Sequence, residues 1–129
     1  MATEAVQKIE EDEAIQPKSA SQLPEPTGYK ILIALPEAEE KTAGGILKAE
    51  ETIRIEETAS VTGFVISMGK DCYKDESKFP TGPWCKEGDW VVMRAFSGTR
   101  ISIHGKEFRL INDDTVEAVI DDPRGIQRA

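Results

Sequence analysis

The sequence predicts an all-β fold, a small antiparallel barrel or sandwich, on three observations. From Tyr29 onward, apolar residues recur at every second position in several short runs, which is the period of a β-strand. Glycine, asparagine and aspartate stand between these runs, where tight turns need them. No segment shows a convincing helical period. Short strands joined by tight turns, without helices, are typical of small antiparallel barrels and sandwiches.

Six segments carry the strand pattern. The first, YKILIAL, sets Ile31, Ile33 and Leu35 on one face and further apolar residues on the other, which predicts a strand covered on both sides. VTGFVISM and DWVVMRA follow as the second and third strands, TRISIH and KEFRLI as the fourth and fifth, and DTVEAVI as the last. The residues predicted to face inward on the fourth and fifth strands are Ile101, Ile103, Phe108 and Leu110.

Composition divides the chain into an arm, one domain and a tail. Residues 1–28 contain three prolines and six acidic side chains but no sustained apolar stripe, so we expect this arm to be disordered or loosely docked. Residues 29–122 form the predicted barrel, and residues 123–129 form a short tail. Two long stretches, about 37–60 and 69–89, interrupt the strands, and loops of that length in a compact domain are usually functional.

The charge balance excludes several classes of partner. The net charge is −8, and lysine and arginine form no cluster of the kind that contacts phosphates, so we expect no nucleic acid partner. The apolar runs are far shorter than the roughly twenty residues that span a bilayer, and the N-terminal residues lack the order of a signal peptide. We therefore expect a soluble, cytoplasmic protein without a membrane partner.

The sequence offers little catalytic or metal-binding chemistry. Cys72 and Cys85 are too few for a disulfide framework and are expected to stay free thiols, and with His104 as the single histidine the chain lacks four soft metal ligands. His104 lies beside a turn, and no Gly-x-Ser-x-Gly motif is present. We expect no catalytic residue, no metal and no cofactor, and therefore no enzyme.

Paired carboxylates are common in the chain. The pairs Glu50-Glu51, Glu56-Glu57 and Asp113-Asp114 all fall in segments that we interpret as loops or turns. Solvation is the usual purpose of carboxylates there, so we do not assign them to acid–base catalysis.

The stretch EEKTAGGILKAEETIRIEE places an apolar pair, Ile46 and Leu47, among glycines and charged residues. Such a loop does not recover the cost of ordering, roughly 1 to 2 kcal/mol per residue for the backbone. The pair is therefore predicted to be an anchor that is buried only on binding another protein. The alternative is that the two side chains pack back onto the barrel.

Several of these segments resemble the GroES co-chaperonins, also called the ten-kilodalton chaperonins. The most specific are KTAGGIL, which is similar to the family's mobile loop, and the Gly-Asp-x-Val of residues 88–91. The resemblance covers about residues 28–122. The segments KDESKFPTGPWCKEGDWV and FRLINDDTVEAV look most like phage-encoded members of that family.

The resemblance implies a partner and a binding loop. GroES proteins cap a GroEL-type chaperonin ring through the mobile loop and assist ATP-dependent protein folding. The matching residues in this chain are Gly44, Gly45, Ile46, Leu47 and Lys48. The last of these departs from the family, because a cation replaces the third apolar anchor.

The resemblance also implies a heptamer, since family members form a seven-membered dome in which the first and last strands of neighbouring subunits pair. In this chain those strands are residues 30–35 and 115–120, and a hairpin that roofs the dome corresponds to residues 69–87. A strand apolar on both faces is a liability at a sheet edge, which also favours such pairing. The implied interface residues are Ile31, Ile33, Leu35, Val116, Val119 and Ile120.

A second interpretation remains open at this point. The same barrel can serve as the building block of an oligomeric virion or phage-assembly protein, because a fold does not fix a function. A small-molecule binding barrel is a third and weaker interpretation, since no convergent polar pocket can be identified from the strands.

Overall fold

The computed structural model describes residues 23–37 and 49–129. Its strands are β1 (Lys30–Ala34), β2 (Thr62–Met68), β3 (Trp90–Met93), β4 (Thr99–Ile103), β5 (Lys106–Asn112) and β6 (Val116–Ile120), with one helix, α1 (Ala49–Ala59), and a short 3-10 turn at Asp113–Thr115. All strand pairs are antiparallel, in the order β4-β5-β1-β2-β3-β6. The predicted small antiparallel all-β fold and its six strands are confirmed.

Helix α1 corrects the prediction that the chain has no helix. Glu50 and Glu51 in its first turn are favourable at the positive end of the helix dipole. Ile55 and Ala59, one turn apart, are half-buried and buried, whereas Ile53 is 57% exposed. The apolar positions therefore form only a narrow stripe in an otherwise charged segment. Because this stripe is narrow, the helical period could not be recognised in the sequence.

Strand β1 lies in the middle of the sheet and not at its edge. Its residues pair with β2 on one side and with β5 on the other, and Ile31 and Ile33 are fully buried. The prediction that β1 pairs with a neighbouring subunit is therefore wrong, because both of its edges are already hydrogen-bonded within the chain. Of the six predicted interface residues, four are buried in the monomer: Ile31, Ile33, Leu35 and Val116.

Strand β6 ends the sheet on one side. Among the described strands it pairs only with β3, and Val119 on it is 48% exposed while Ile120 is half-buried. The assignment of Val119 and Ile120 to a subunit interface stays a prediction.

The inward face of β5 differs in part from the prediction. Phe108 is buried as predicted, but Leu110 is only half-buried, as are Ile101 and Ile103 on β4. The neighbouring residue Arg109 is instead 2% exposed. The adjacent residues Phe108 and Arg109 are both buried, so β5 is covered on both faces near its centre. A strict alternation of buried and exposed residues does not describe this strand.

The 69–89 segment connects β2 to β3 and is not a hairpin. It contains no strand and proceeds through successive turns, among them those closed by Cys72 N donating to Gly69 O and Phe79 N donating to Asp75 O. The ring of Tyr73 lies 4.8 Å from that of Phe79. Successive turns therefore replace the predicted roof hairpin, and the buried Tyr73 and Phe79 belong to the main hydrophobic core.

Asp113 joins this segment to the start of β6. Its carboxylate accepts a hydrogen bond from the backbone N–H of Tyr73 at 2.9 Å, and its carbonyl oxygen accepts from the Tyr73 hydroxyl at 2.8 Å. Asp113 is only 4% exposed. The interpretation of Asp113 as a solvated turn residue is therefore wrong, because its carboxylate accepts a hydrogen bond from a buried backbone N–H group.

Residues 23–28 contact the sheet before β1 begins. Pro26 is buried, and the Gly28 carbonyl accepts a hydrogen bond from Asp71 N at 2.9 Å. A side chain at Gly69 would meet that same carbonyl at 2.2 Å. The last residues of the predicted arm therefore pack onto the domain, whereas the first 22 residues lie outside the described chain.

Both cysteines are free and buried, which leads to a test in solution. Burial raises the pKa of the Cys72 thiol from 9.0 to about 11, and burial also raises that of Cys85. Because the thiolate is the reactive form and its fraction falls tenfold per pKa unit, we expect Cys72 to react with iodoacetamide at pH 8 roughly 100-fold more slowly in the folded protein than in urea. Mass spectrometry of timed samples measures both rates, and equal rates would contradict the burial of the thiols.

Candidate partner-binding site

The residues predicted to bind the partner, Gly44, Gly45, Ile46, Leu47 and Lys48, lie outside the described residues. They belong to loop 38–48, which connects the end of β1 to the start of α1. The structure describes the two stems of this loop, residues 35–37 and helix α1. The geometry of the stems determines where the loop leaves and rejoins the domain.

The first stem is held on the hairpin formed by β4 and β5. Leu35 is buried and its backbone N–H donates to the carbonyl of Glu107 at 3.0 Å. Two residues later, Glu37 accepts an ion pair from Lys106 at 3.2 Å. The chain is therefore anchored up to the first residue of loop 38–48.

The second stem, α1, is held by a buried arginine at its C-terminal end. Arg109 donates from Nη1 to the carbonyl of Ser60 at 3.3 Å and from Nη2 to the carbonyl of Ala59 at 3.2 Å. A cation at this end satisfies carbonyls that have no partner within the helix and interacts favourably with the helix dipole. Desolvation lowers the pKa of Arg109, and its Nε has no hydrogen-bond partner among the described residues.

An exposed ion network adds a second connection between α1 and the sheet. Arg100 on β4 binds Glu56 on α1 with two hydrogen bonds, of 2.8 and 3.1 Å, and binds Glu107 on β5 at 2.6 Å. Hydrogen bonding to Arg100 lowers the pKa of Glu56. Because the carboxylates are about half exposed, such pairs contribute only about 0 to 1 kcal/mol each. Their main effect is to orient the helix.

Glu107 connects the two stems. Its backbone carbonyl holds Leu35 of the first stem, and its carboxylate holds Arg100, which in turn binds Glu56 of the second stem. The stems also border a common depression of about 230 Å³, whose lining includes Pro36 and Glu37 from the first stem and Thr52 and Ile55 from the second. The two described stems therefore lie next to each other.

Sequence reasoning missed the residues that hold the stems: Glu56, Arg100, Glu107 and Arg109. Glu56 was interpreted as a solvated loop carboxylate, and Arg109 stands in a strand where alternation gave it no role. Only the three-dimensional position of α1 identifies them. Within residues 23–37 and 49–129, no group of three or more His, Cys, Asp or Glu side chains could hold a metal ion. The one helix described there is too short and too polar to cross a membrane.

The role of Arg109 can be tested with Arg109→Met, which keeps the aliphatic length and removes the donors. Two carbonyls at the end of α1 then lose their partner, so we expect amides of α1 to exchange with deuterium at least tenfold faster. Amides of β1 should keep their protection. The control is Arg94→Met, a change at an exposed arginine that directly follows β3. Unchanged exchange in α1 would show that Arg109 does not hold the helix.

Comparison with known proteins identifies the family. The family model described as "Chaperonin 10 Kd subunit" matches residues 24–120, which include all six strands and α1. Co-chaperonin GroES of Rubrobacter xylanophilus is 33% identical over 97 residues, covering 75% of this chain and 96% of the relative. Co-chaperonin GroES of Caldicellulosiruptor saccharolyticus is 34% identical over 97 residues, covering 75% of this chain and 96% of the relative.

A longer match is to co-chaperonin GroES 2 of Mesorhizobium japonicum, which is 34% identical over 107 residues, 81% of this chain and 95% of the relative. These three relatives are bacterial, so the similarity to phage-encoded members stays a prediction. The antiparallel sheet and the family match agree with one another. The chain belongs to the Cpn10 family, the GroES co-chaperonins.

Proposed function

We propose that this co-chaperonin caps a GroEL-type chaperonin ring through loop 38–48 and so assists ATP-dependent protein folding. The observation that carries the proposal is the family match, which extends over the whole sheet and both stems of the loop. The bacterial relatives are named co-chaperonins, and we propose the bacterial cytoplasm as the place of action. The rest of this proposal concerns how the loop binds and how the subunits assemble.

The anchored stems support a loop that binds through its apolar pair. Full burial of Ile46 and Leu47 on a partner contributes on the order of 3 to 6 kcal/mol. Ordering the loop costs roughly 1 to 2 kcal/mol per residue, which offsets most of this gain. A single loop therefore binds weakly. Seven loops on one ring bind firmly through their high effective concentration, and they release when the partner changes shape.

We further propose that the exposed edge of β6 is one side of the subunit contact in a heptamer. An edge strand presents unpaired backbone groups and is normally covered, and Val119 exposes apolar surface there. A ring needs a second, different surface on the neighbour. Strand β1 does not provide it, so we propose residues 23–27, which precede β1 and carry no strand pairing within the described chain.

The binding loop is tested by Ile46→Ser combined with Leu47→Ser. We expect the melting temperature and ring assembly to stay nearly unchanged, because neither side chain belongs to the barrel core in this proposal. Binding to a bacterial GroEL-type chaperonin in a nucleotide-dependent pull-down should vanish, because every site loses its apolar contact. Lys48→Leu should tighten binding by roughly 1 to 2 kcal/mol per site through restored burial.

Two outcomes would overturn this assignment. If the double-serine variant melts much earlier than the unchanged protein, the apolar pair belongs to the core. If it melts normally and still binds the chaperonin, the contact lies elsewhere in the chain.

The subunit contact is tested by Val119→Lys. A lysine ammonium at the edge of β6 opposes pairing with another strand, so we expect the ring to dissociate while the monomer stays folded. The matched control is Ile53→Lys, which replaces a similarly exposed apolar residue, 57% against 48%, on α1. Sedimentation velocity measures the mass of both variants. Rings of unchanged mass in Val119→Lys would exclude β6 from the interface.

A further inference from the structure

The residues that follow β6 turn back across helix α1. We call residues 122–128 the tail strap; they lie beyond residue 120, where both β6 and the family match end. The turn is built by Asp122, whose carboxylate accepts from the backbone N–H and the guanidinium of Arg124. Gly125 then adopts a φ of +87°, a conformation that glycine tolerates. The chain is thereby directed toward the end of α1.

Arg128 makes the main contacts of the tail strap. Its backbone N–H donates to the carbonyl of Glu57 at 3.3 Å, and its Nη1 donates to the hydroxyl of Ser60 at 3.2 Å. Its guanidinium also lies 5.1 Å from the ring centre of Phe96, which belongs to the turn between β3 and β4. The Arg128 side chain therefore bridges Ser60, the residue that follows α1, and the turn between β3 and β4.

The remaining strap residues run along the helix. Pro123, Gly125 and Gln127 line one wall of a groove of about 380 Å³. The facing walls include Arg54, Ile55 and Thr58 of α1 and also Pro36 and Glu37 of the first stem. The tail strap therefore borders both stems of loop 38–48.

The charges of the strap and the helix are complementary. Helix α1 carries four glutamates and one arginine, and it has no basic residue in its last turn. Arg128 brings a cation to the C-terminal end of α1, where the helix dipole favours positive charge. An isolated helix of eleven residues is marginal in water, so α1 depends on contacts of this kind.

We propose that the tail strap holds α1 on the sheet, so that the helix is already ordered when a partner binds beside it. When the strap is released, α1 loosens, and the partner must then order the helix as well. The first part of this proposal concerns the fold alone. The effect on binding rests on the proposed co-chaperonin function.

The strap is tested by Arg128→Ala and by deletion of residues 123–129, with Arg94→Ala, a change at an exposed arginine outside the strap, as the matched control. Hydrogen exchange followed by mass spectrometry measures α1 and β1 in the same samples. We expect exchange in α1 to become at least tenfold faster in both strap variants, with β1 and the control unchanged. Unchanged exchange in α1 after the deletion would overturn the proposal.

The coupling to binding is measured on the same proteins with a bacterial GroEL-type chaperonin and nucleotide. We expect Arg128→Ala to weaken binding by about tenfold or more, because the small loss at each loop is multiplied over the ring. Faster exchange in α1 with unchanged affinity would overturn the coupling. If the unchanged protein does not bind the chaperonin, the proposed function fails, and the exchange result alone still decides whether the strap holds the helix.

Discussion

The contact between the Arg109 guanidinium and the carbonyls of Ala59 and Ser60 holds the C-terminal end of α1 on the sheet, and the position of the helix depends on it. Helix α1 contributes one half-buried isoleucine and one buried alanine to the domain, which is little apolar area for a helix of eleven residues. Burying a guanidinium is costly, as its lowered pKa indicates. Two backbone acceptors and the negative end of a helix dipole offset that cost. The result is a polar contact that fixes the C-terminal end of α1 to β5.

Several other contacts also hold α1 in its orientation on the sheet. Arg100 and Glu107 bind the outer side of α1 and the first stem, and Arg128 binds its last turn. Most of these contacts are exposed ion pairs or single hydrogen bonds, each worth little alone. Together they hold residues 35–37 and α1 next to each other on the sheet. Stems that are held in place in this way lower the ordering cost of any partner that binds beside them.

The sequence predicted the strands well because each depends on a local pattern. A period of two and turn residues at each boundary were sufficient to identify all six strands. The position of β1 was not predictable in the same way. A strand that is apolar on both faces fits a central strand and an edge strand covered by a neighbouring subunit equally well, and only the pairing with β2 and β5 distinguishes them.

Local sequence patterns could not predict the contacts of Arg109 with the end of α1. An arginine inside a strand is usually a solvated residue, and its partners lie about 50 residues away in the chain. Helix α1 was not predicted because its charged residues and the exposed Ile53 obscure the helical period. The residues of loop 38–48 were selected by composition and family resemblance, and their role in binding stays a proposal.

Electron microscopy of the purified protein mixed with a bacterial GroEL-type chaperonin tests the central claim most directly. With nucleotide present, we expect seven-fold domes of this protein seated on the end of the chaperonin ring, with density from each dome subunit reaching the chaperonin at loop 38–48. Without nucleotide, the two proteins should separate. Unattached chaperonin rings beside this protein in the presence of nucleotide would contradict a capping function.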